Sequence, residues 1–180
     1  MTESETERAA LNYLARGWSV IPALEKAKRP AIPWKRYQDA LVSEKTLREW
    51  FRRSPEYNVS IVTGALSGLV VVDVDPRHGG NKSLKRLERE HGALPKTMES
   101  ISGGGGRHLY FAHPGGTVRN RTNIVSGIDL RGDGGCIVAP PSVHPSGKRY
   151  RWKQGHAPGD FEPAPLPDWL HRMLPPDSDS

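Results

Sequence analysis

Two aspartates at the end of an apolar segment are the first candidates for chemistry in this sequence. Asp73 and Asp75 follow the apolar run of residues 69–72, which is typical of a buried β-strand. Because side chains alternate along a strand, both carboxylates should lie on one face, with Val74 on the other. Two close carboxylates repel unless a cation lies between them, and such hard oxygen ligands suit Mg²⁺ or Mn²⁺. The alternative is a strand that ends in a turn at Pro76, with both aspartates in solvent.

A glycine-rich segment is the second candidate. Its four consecutive glycines, residues 103–106, allow the backbone to approach a ligand closely and to expose N–H groups. Arg107 and His108 follow at the start of an apolar strand, so this segment, with Gly105 and Gly106 at its end, predicts a cradle for a triphosphate. A flexible hairpin loop with His108 packed beside the sheet is an equally good interpretation.

Asp129 is the third candidate. It stands between Ile128 and Leu130, so its carboxylate should lie on the polar face of a predicted strand, where it could bind a metal. Asp133 carries less weight, because it lies in a Gly-Asp-Gly-Gly turn of the kind in which aspartate is common.

Ser142 and His144 form the fourth candidate, in a Pro-Pro-Ser-Val-His-Pro segment. Both side chains could contact a sugar or a phosphate. The alternative is a rigid proline turn with satisfied hydroxyl groups.

Composition limits the class of protein. A chain of 180 residues is long enough for one domain with a real core, and a net charge of +6 favours a polyanionic partner. The single cysteine rules out an internal disulfide and a multi-cysteine zinc site. No apolar run approaches the roughly 18–20 residues of a membrane span, and the polar N-terminus is unlike a signal peptide. These features favour a protein without a membrane partner, and the lack of a signal peptide favours a cytoplasmic location.

The chain mixes helical and strand patterns, which predicts an α+β fold. Helical spacing and stop signals predict helices at residues 6–16, after Ser43, at 81–91 and at 169–174. Short apolar runs between glycine-rich turns predict strands, most of them antiparallel. The predicted strands are residues 19–22, 58–63, 69–75, 98–102, 107–112, 127–131, 135–139 and 149–152.

The motifs together resemble the archaeo-eukaryotic primase superfamily. In order, they are Asp-x-Asp after an apolar strand, Gly-Gly-Arg-His-Leu-Tyr-Phe, Gly-Ile-Asp-Leu-Arg-Gly-Asp-Gly-Gly and Pro-Pro-Ser-Val-His-Pro-Ser-Gly. The combination is similar to the N-terminal primase/polymerase (prim-pol) domain of phage and plasmid replication proteins. The resemblance covers residues 8–155.

The resemblance implies a fold and a set of site residues. The fold would be an RRM-like palm, a mixed and mostly antiparallel sheet flanked by helices, with a small helical N-terminal part. Asp73, Asp75 and Asp129 would be the catalytic ligands of a two-metal Mg²⁺ or Mn²⁺ site, and His108 would contact the nucleotide phosphates. Two departures stand out: Gly106 occupies a position where the family often carries serine, and the chain lacks the cysteines of the zinc-binding stem found in some relatives.

The resemblance also implies an activity. The chain would be a DNA-dependent primase/polymerase, a nucleotidyltransferase that joins an NTP or dNTP to a 3′-OH on a single-stranded DNA template. Residues 1–165 would form the catalytic domain, and residues 166–180 a short helix and a linker-like tail that leads to a helicase region. Lys28, Arg29 and Arg77 are the best candidates for contacts with nucleic acid: Lys28 and Arg29 lie in one basic loop, and Arg77 lies close to the aspartate pair.

Two other classes of function stay open at this point. A non-catalytic module for nucleic-acid binding or origin recognition would keep the same fold. A metal-dependent nuclease or nickase would need a His-x-His metal pair near a nucleophilic tyrosine, and the seven histidines are all spaced too widely for one.

Overall fold

The computed structural model of the chain describes residues 2–174, which form four α-helices and ten β-strands. The fold is α+β, as the sequence predicts. The predicted linker-like tail, residues 175–180, lies outside the described residues. The helices are α1 (Glu5–Ala15), α2 (Glu44–Arg53), α3 (Gly80–His91) and α4 (Asp168–Met173). The strands are β1 (Ser19–Ala23), β2 (Asn58–Val62), β3 (Leu69–Val74), β4 (Met98–Ile101), β5 (Arg107–Ala112), β6 (Arg121–Val125), β7 (Ile128–Arg131), β8 (Cys136–Ala139), β9 (Arg151–Trp152) and β10 (Ala164–Pro165).

Two sheets organise the described chain. The larger one has the order β6-β7-β3-β5-β4-β9, with antiparallel neighbours throughout, and the short β10 adds to β5 in parallel. The smaller one has the order β1-β2-β8 and is fully antiparallel. The N-terminal part supplies α1, α2 and two strands of the small sheet, and β8 supplies the third strand. This mostly antiparallel architecture is consistent with the palm-like fold expected from the sequence.

Strand β3 lies in the middle of the large sheet and is covered on both faces. Val70, Val72 and Val74 pack with residues of α3 and α4 on one face. On the other face Val71 packs in the core that joins the small sheet to α1 and α2. Burying each such side chain contributes roughly 1.5–3 kcal/mol, so the apolar run at residues 69–72 fixes β3 in place. Within this strand only Asp73 is left partly exposed.

A serine side chain caps the N-terminus of each of the helices α1 and α2. Ser4 accepts a hydrogen bond from the N–H of Glu7, and Ser43 accepts one from the N–H of Thr46, which satisfies donors that the first helical turn leaves unpaired. The prediction that Ser43 starts a helix is confirmed. The two helices hold the small sheet in place, in part through Tyr13, whose hydroxyl donates to the carbonyl of Pro140 at 2.6 Å.

Strand β6 is absent from the sequence-based prediction. It lies at the edge of the large sheet, its residues are exposed or half-buried, and its pairing with β7 is irregular. Asn123 in its centre adopts a left-handed backbone conformation (φ 49°). An exposed and irregular edge strand has no buried face, so it lacks the alternation of apolar residues that marks other strands.

A close backbone contact places Asp75 beside the turn that precedes β7. The N–H of Asp75 donates to the carbonyl of Gly127 at 2.8 Å, and the N–H of Gly80 donates to the carbonyl of Asp75 at 2.9 Å. A Cβ atom on Gly80 would lie only 2.6 Å from each of these carbonyl oxygens. The start of α3 therefore requires glycine at position 80.

We expect Gly80→Ala to lower the free energy of unfolding by about 1–3 kcal/mol, the usual cost of forcing extra atoms into a packed site. Chemical denaturation would measure the loss. Gly17→Ala is the matched control: position 17 has a left-handed backbone (φ 86°) but open space around it, so that substitution costs conformational strain without a clash. Equal stability of Gly80→Ala and wild type would contradict the close contact.

Candidate active site

A row of polar side chains crosses the centre of the large sheet. Asp73 on β3 lies directly opposite Asp129 on β7 and directly opposite His108 on β5. These three side chains line one cleft with a volume of about 580 Å³. Residues 134–138, which lead into and form most of β8 of the small sheet, line the same cleft. The strand pairing therefore brings motifs that are more than 20 residues apart in the sequence into one site between the two sheets.

Two basic side chains flank Asp73. Its Oδ1 lies 3.4 Å from Nε2 of His108, and its Oδ2 lies 3.8 Å from Nη2 of Arg131. Burial by itself would raise the pKa of Asp73, but His108, Arg131 and Lys28 together hold it below the ordinary value. The Asp73 carboxylate is therefore ionised at neutral pH.

Asp75 begins a short 3₁₀ turn, Pro76–His78. Its Oδ1 accepts a hydrogen bond from the N–H of Arg77 at 2.9 Å, and its Oδ2 lies 2.6 Å from Nδ1 of His78. Partial burial raises the pKa of Asp75, but these two contacts outweigh it and the pKa lies below the ordinary value. Asp75 lines the same cleft as Asp73, but it is engaged with its own turn.

Asp129 and Arg131 share the third part of the row. Asp129 accepts a hydrogen bond from the N–H of Asn123 at 2.8 Å, and its Oδ2 lies 3.4 Å from Nη2 of Arg131. Arg131 thus contacts both central carboxylates. The sequence analysis missed Arg131, although the alternation that selects Asp129 also places a residue two positions later on the same face.

The carboxylates offer suitable donors for a divalent cation, but the described residues do not hold them in a finished metal centre. Within residues 2–174, no group of three acidic, histidine or cysteine side chains is arranged to hold a metal ion. Asp73 and Asp129 nevertheless reach one common cation, the Arg131 guanidinium. Asp73 and Asp129, two of the three predicted ligands, are therefore placed to share a cation. Asp75 would have to release its contact with His78 before it could join them.

Three N–H groups of the glycine-rich loop form hydrogen bonds with Ser102, the residue that precedes the glycines. Ser102 Oγ accepts hydrogen bonds from the N–H groups of Gly104 and Gly106, and its carbonyl accepts one from Gly105. The predicted exposure of glycine N–H groups to a ligand is therefore wrong for these three. A Cβ on Gly106 would lie 2.9 Å from Ser102 Oγ, so the Ser102 hydroxyl fills the space where a side chain at position 106 would begin.

The loop instead approaches a second histidine. A Cβ on Gly103 would lie 2.7 Å from Cβ of His144, and one on Gly104 would lie 3.1 Å from Cε1 of the same ring. Gly104 and Gly106 line the cleft, whereas Gly105 is exposed at the tip of the loop with φ 84°. What the glycines provide is close packing of the loop against His144.

Positive charge collects at this end of the cleft. Burial lowers the pKa of His144, and the nearby charges of Lys28, Arg77 and His108 lower it further. All four side chains line the cleft. The ring of Tyr150 lies between the two histidines, with centroids 6.0 Å from His108 and 5.7 Å from His144. This cluster could bind the phosphates of a nucleotide.

Four predicted contact residues lie outside the cleft or point away from it. Arg107 faces the opposite side of the sheet from His108, where it forms two hydrogen bonds of 2.9 and 3.0 Å with Glu99. The Ser142 hydroxyl is buried and bonded to both backbone polar groups of Val59. Neither residue can serve a nucleotide in this geometry, which corrects both predictions. Arg29 and Gly105 are exposed and do not line the cleft.

Asp133 has a structural role, in line with its lower weight in the sequence analysis. Its carboxylate accepts hydrogen bonds from the N–H groups of Ala65 and Val118, and it lies 3.1 Å from Nε2 of His113. It therefore ties three loops together. Among the cleft residues that sequence reasoning missed, the side chains of Asn120 and Cys136 gave no recognisable signal.

The family assignment agrees with this geometry. Residues 10–169 match the family described as bifunctional DNA primase/polymerase, N-terminal (Prim-Pol). The chain belongs to the Prim-Pol family. No curated protein is significantly similar to it.

Membership of the Prim-Pol family indicates DNA primase/polymerase activity at the level of the family, and an enzyme of the general nucleotidyltransferase type. The matched residues include the whole row across the sheet, the glycine-rich loop and the His144 segment. Among residues 2–174, none of the helices has the length and apolar character needed to cross a membrane.

The opposite orientations of Arg107 and His108 lead to a prediction for this Prim-Pol domain. Arg107→Gln would leave the buried Glu99 without its ion pair, at a cost of about 1–3 kcal/mol of unfolding free energy, while nucleotide affinity stays unchanged. His108→Gln should weaken nucleotide binding about tenfold, the loss expected for one charge-assisted hydrogen bond. Denaturation and calorimetric titration with a nucleotide would measure the two effects.

The double variant Glu99→Gln/Arg107→Gln is the control and should recover stability. Weaker nucleotide binding by Arg107→Gln would contradict the assignment.

The lowered pKa of Asp73 leads to a pH prediction. Its carboxylate stabilises the fold above the ordinary pKa of 3.8, and this contribution is lost as the pH falls through the lower folded-state pKa. The unfolding free energy lost in Asp73→Asn should therefore be larger near pH 6 than at about pH 3. Denaturant titration of both proteins at each pH would test this. In a His108→Gln background the pH dependence should shrink, and an equal loss at both pH values would show that the carboxylate gains nothing from its partners.

Proposed function

We propose that this Prim-Pol domain extends a nucleic-acid chain on a single-stranded DNA template, with NTPs or dNTPs as substrates. The row of Asp129, Asp73 and His108 on three adjacent strands carries the proposal. It places two ionisable carboxylates next to a cationic pocket in one cleft. That is the charge pattern needed to join a 3′-hydroxyl to the α-phosphate of a nucleotide.

In this reaction the 3′-oxygen forms a bond to the α-phosphorus, and the bond to the leaving pyrophosphate breaks. Asp73 and Asp129 would hold Mg²⁺ or Mn²⁺, with Asp75 joining from the rim of the cleft. When bound, such cations stabilise the charge on the attacking and leaving oxygens and lower the pKa of the 3′-hydroxyl. No cysteine-rich zinc site is expected, because the sequence has a single cysteine.

The side chains of the cationic cluster would receive the triphosphate. His108 is fixed by Asp73 on one side and by the Tyr150 ring on another, so it can donate from a defined position. Lys28 and Arg77 enter the cleft from two other segments and would neutralise the phosphate oxygens, and His144 lines the cleft beside them. The glycine-rich loop shapes this pocket through its contact with His144.

The template would lie along the basic rim of the cleft. Arg77 lies two residues after Asp75, in the same 3₁₀ turn, and Lys28 lies in a separate loop that lines the same cleft. Arg29 is exposed beside Lys28. Contacts of this kind bind phosphates without regard to sequence and weaken with salt. A helicase partner and a cytoplasmic location stay predictions.

The test is synthesis on single-stranded DNA with and without a primer, in Mg²⁺ and in Mn²⁺, with labelled NTPs or dNTPs. Asp73→Asn and Asp129→Asn should each reduce synthesis by at least about a hundredfold, because each removes charge that stabilises the transition state. The exposed Asp168→Asn in α4 is the matched control and should keep full activity. Products that persist in both cleft variants would refute the site. Intact DNA binding without synthesis under any condition would favour a non-catalytic binding module.

A further inference from the structure

Arg131 occupies an unusual position in the cleft. It is the last residue of β7, two positions after Asp129 and directly opposite Val71 on β3. A single nitrogen, Nη2, lies 3.4 Å from Asp129 Oδ2 and 3.8 Å from Asp73 Oδ2. The guanidinium therefore contacts both of the carboxylates that face each other across the two strands.

The contacts are loose for an arginine in a structural ion pair. Charge-assisted hydrogen bonds usually measure about 2.7–2.9 Å, and arginine commonly binds a carboxylate through two parallel bonds. The Arg107–Glu99 pair in the same sheet has that tight two-bond geometry. Arg131 has one bond at 3.4 Å, and its Nε is buried without a hydrogen-bond partner among residues 2–174. The positive charge of Arg131 thus lies close to both carboxylates, but few hydrogen bonds hold the side chain in place.

The electrostatics of the row explain why a cation is needed there. Asp73 and Asp129 are neighbours on adjacent strands, and each is less than a third exposed. Two partly buried carboxylates at this separation repel each other, and a guanidinium between them relieves the repulsion. A divalent cation bound by both carboxylates would relieve it as well. The guanidinium and the divalent cation would then compete, because both bind the same carboxylates and their like charges repel each other.

We propose that Arg131 competes with divalent cations for Asp73 and Asp129, and that an incoming triphosphate relieves this competition by offering the guanidinium another anion. The inference rests on the proposed function. Arg131 lines the same cleft as His108, His144 and Lys28, so a triphosphate held by that cluster would lie within the same cavity. Metal loading would thereby depend on nucleotide binding.

The first experiment measures binding of Mn²⁺ alone, without nucleotide, from the electron paramagnetic resonance signal of the free ion. Arg131→Gln should bind Mn²⁺ about tenfold more tightly than wild type, because a competing charge is removed from the two ligands. Arg149→Gln is the matched control. It removes the same charge from an exposed residue that pairs with Glu5, and it should leave the affinity unchanged. Arg131→Lys keeps the charge and should stay close to wild type.

Further variants separate this inference from the function on which it rests. Asp73→Asn should abolish the gain in the Arg131→Gln background, which assigns the Mn²⁺ to this site. Site-dependent binding that is equally strong, or weaker, in Arg131→Gln would overturn the competition alone. Absence of Mn²⁺ binding in every variant would overturn both the competition and the metal site. Arg131→Met serves as a second test if Arg131→Gln does not fold.

The second experiment tests the other half of the inference in EDTA, with a dNTP analogue that has a methylene group between its α- and β-phosphates. Without metal, Arg131→Gln should bind this analogue several-fold more weakly than wild type, because one cationic partner of the phosphates is lost. Arg149→Gln should bind it as wild type does. Equal binding by Arg131→Gln and wild type would show that the guanidinium does not move to the triphosphate.

Discussion

The antiparallel pairing of β3 with both of its neighbours is the constraint on which the rest of the site depends. The register sets Asp73 opposite Asp129 on one side and opposite His108 on the other. A slip of one residue would turn the whole strand over. It would move Asp73 into the apolar layer beneath α3 and α4, where an ionised carboxylate without a partner costs several kcal/mol. The valines of β3, buried on both faces, therefore determine where the carboxylate lies, and the stability of the core fixes the geometry of the cleft.

A second consequence of this arrangement is that the cleft is balanced in charge. Burial opposes the ionised form of Asp73, and His108, Arg131 and Lys28 compensate. Lys28 and His108 also act on His144, together with Arg77, and there they oppose the protonated form. The same cations thus stabilise the acids and repel one another. An anion that enters the cleft gains from several cations at once, whereas a cation that enters must displace one that is already there.

The sequence allows much of this site to be predicted, because alternation along a strand is a local property. Asp73, Asp129 and His108 each lie next to residues that face a core, so the polar orientation of each side chain follows from the pattern of its own strand. The same rule, applied one step further, would have placed Arg131 with Asp129 and would have turned Arg107 away from His108. The neighbours of β3 and their register depend on tertiary packing. The predicted role of Ser142 in nucleotide binding is wrong. The sequence pattern of a proline-rich turn is the same whether its hydroxyl faces a ligand or, as here, the backbone of Val59.

The glycine-rich loop shows how the cleft separates shape from charge. A loop rich in glycine commonly binds anions through its own N–H groups, but here three of those groups are satisfied by Ser102. The positive charge comes instead from side chains on separate segments, namely Lys28 and Arg77. The loop contributes an approach to His144 that any side chain on Gly103 would prevent. Because the backbone provides the shape and the side chains provide the charge, the preference for a nucleotide or a cation can change through single substitutions at the cleft while the fold stays the same.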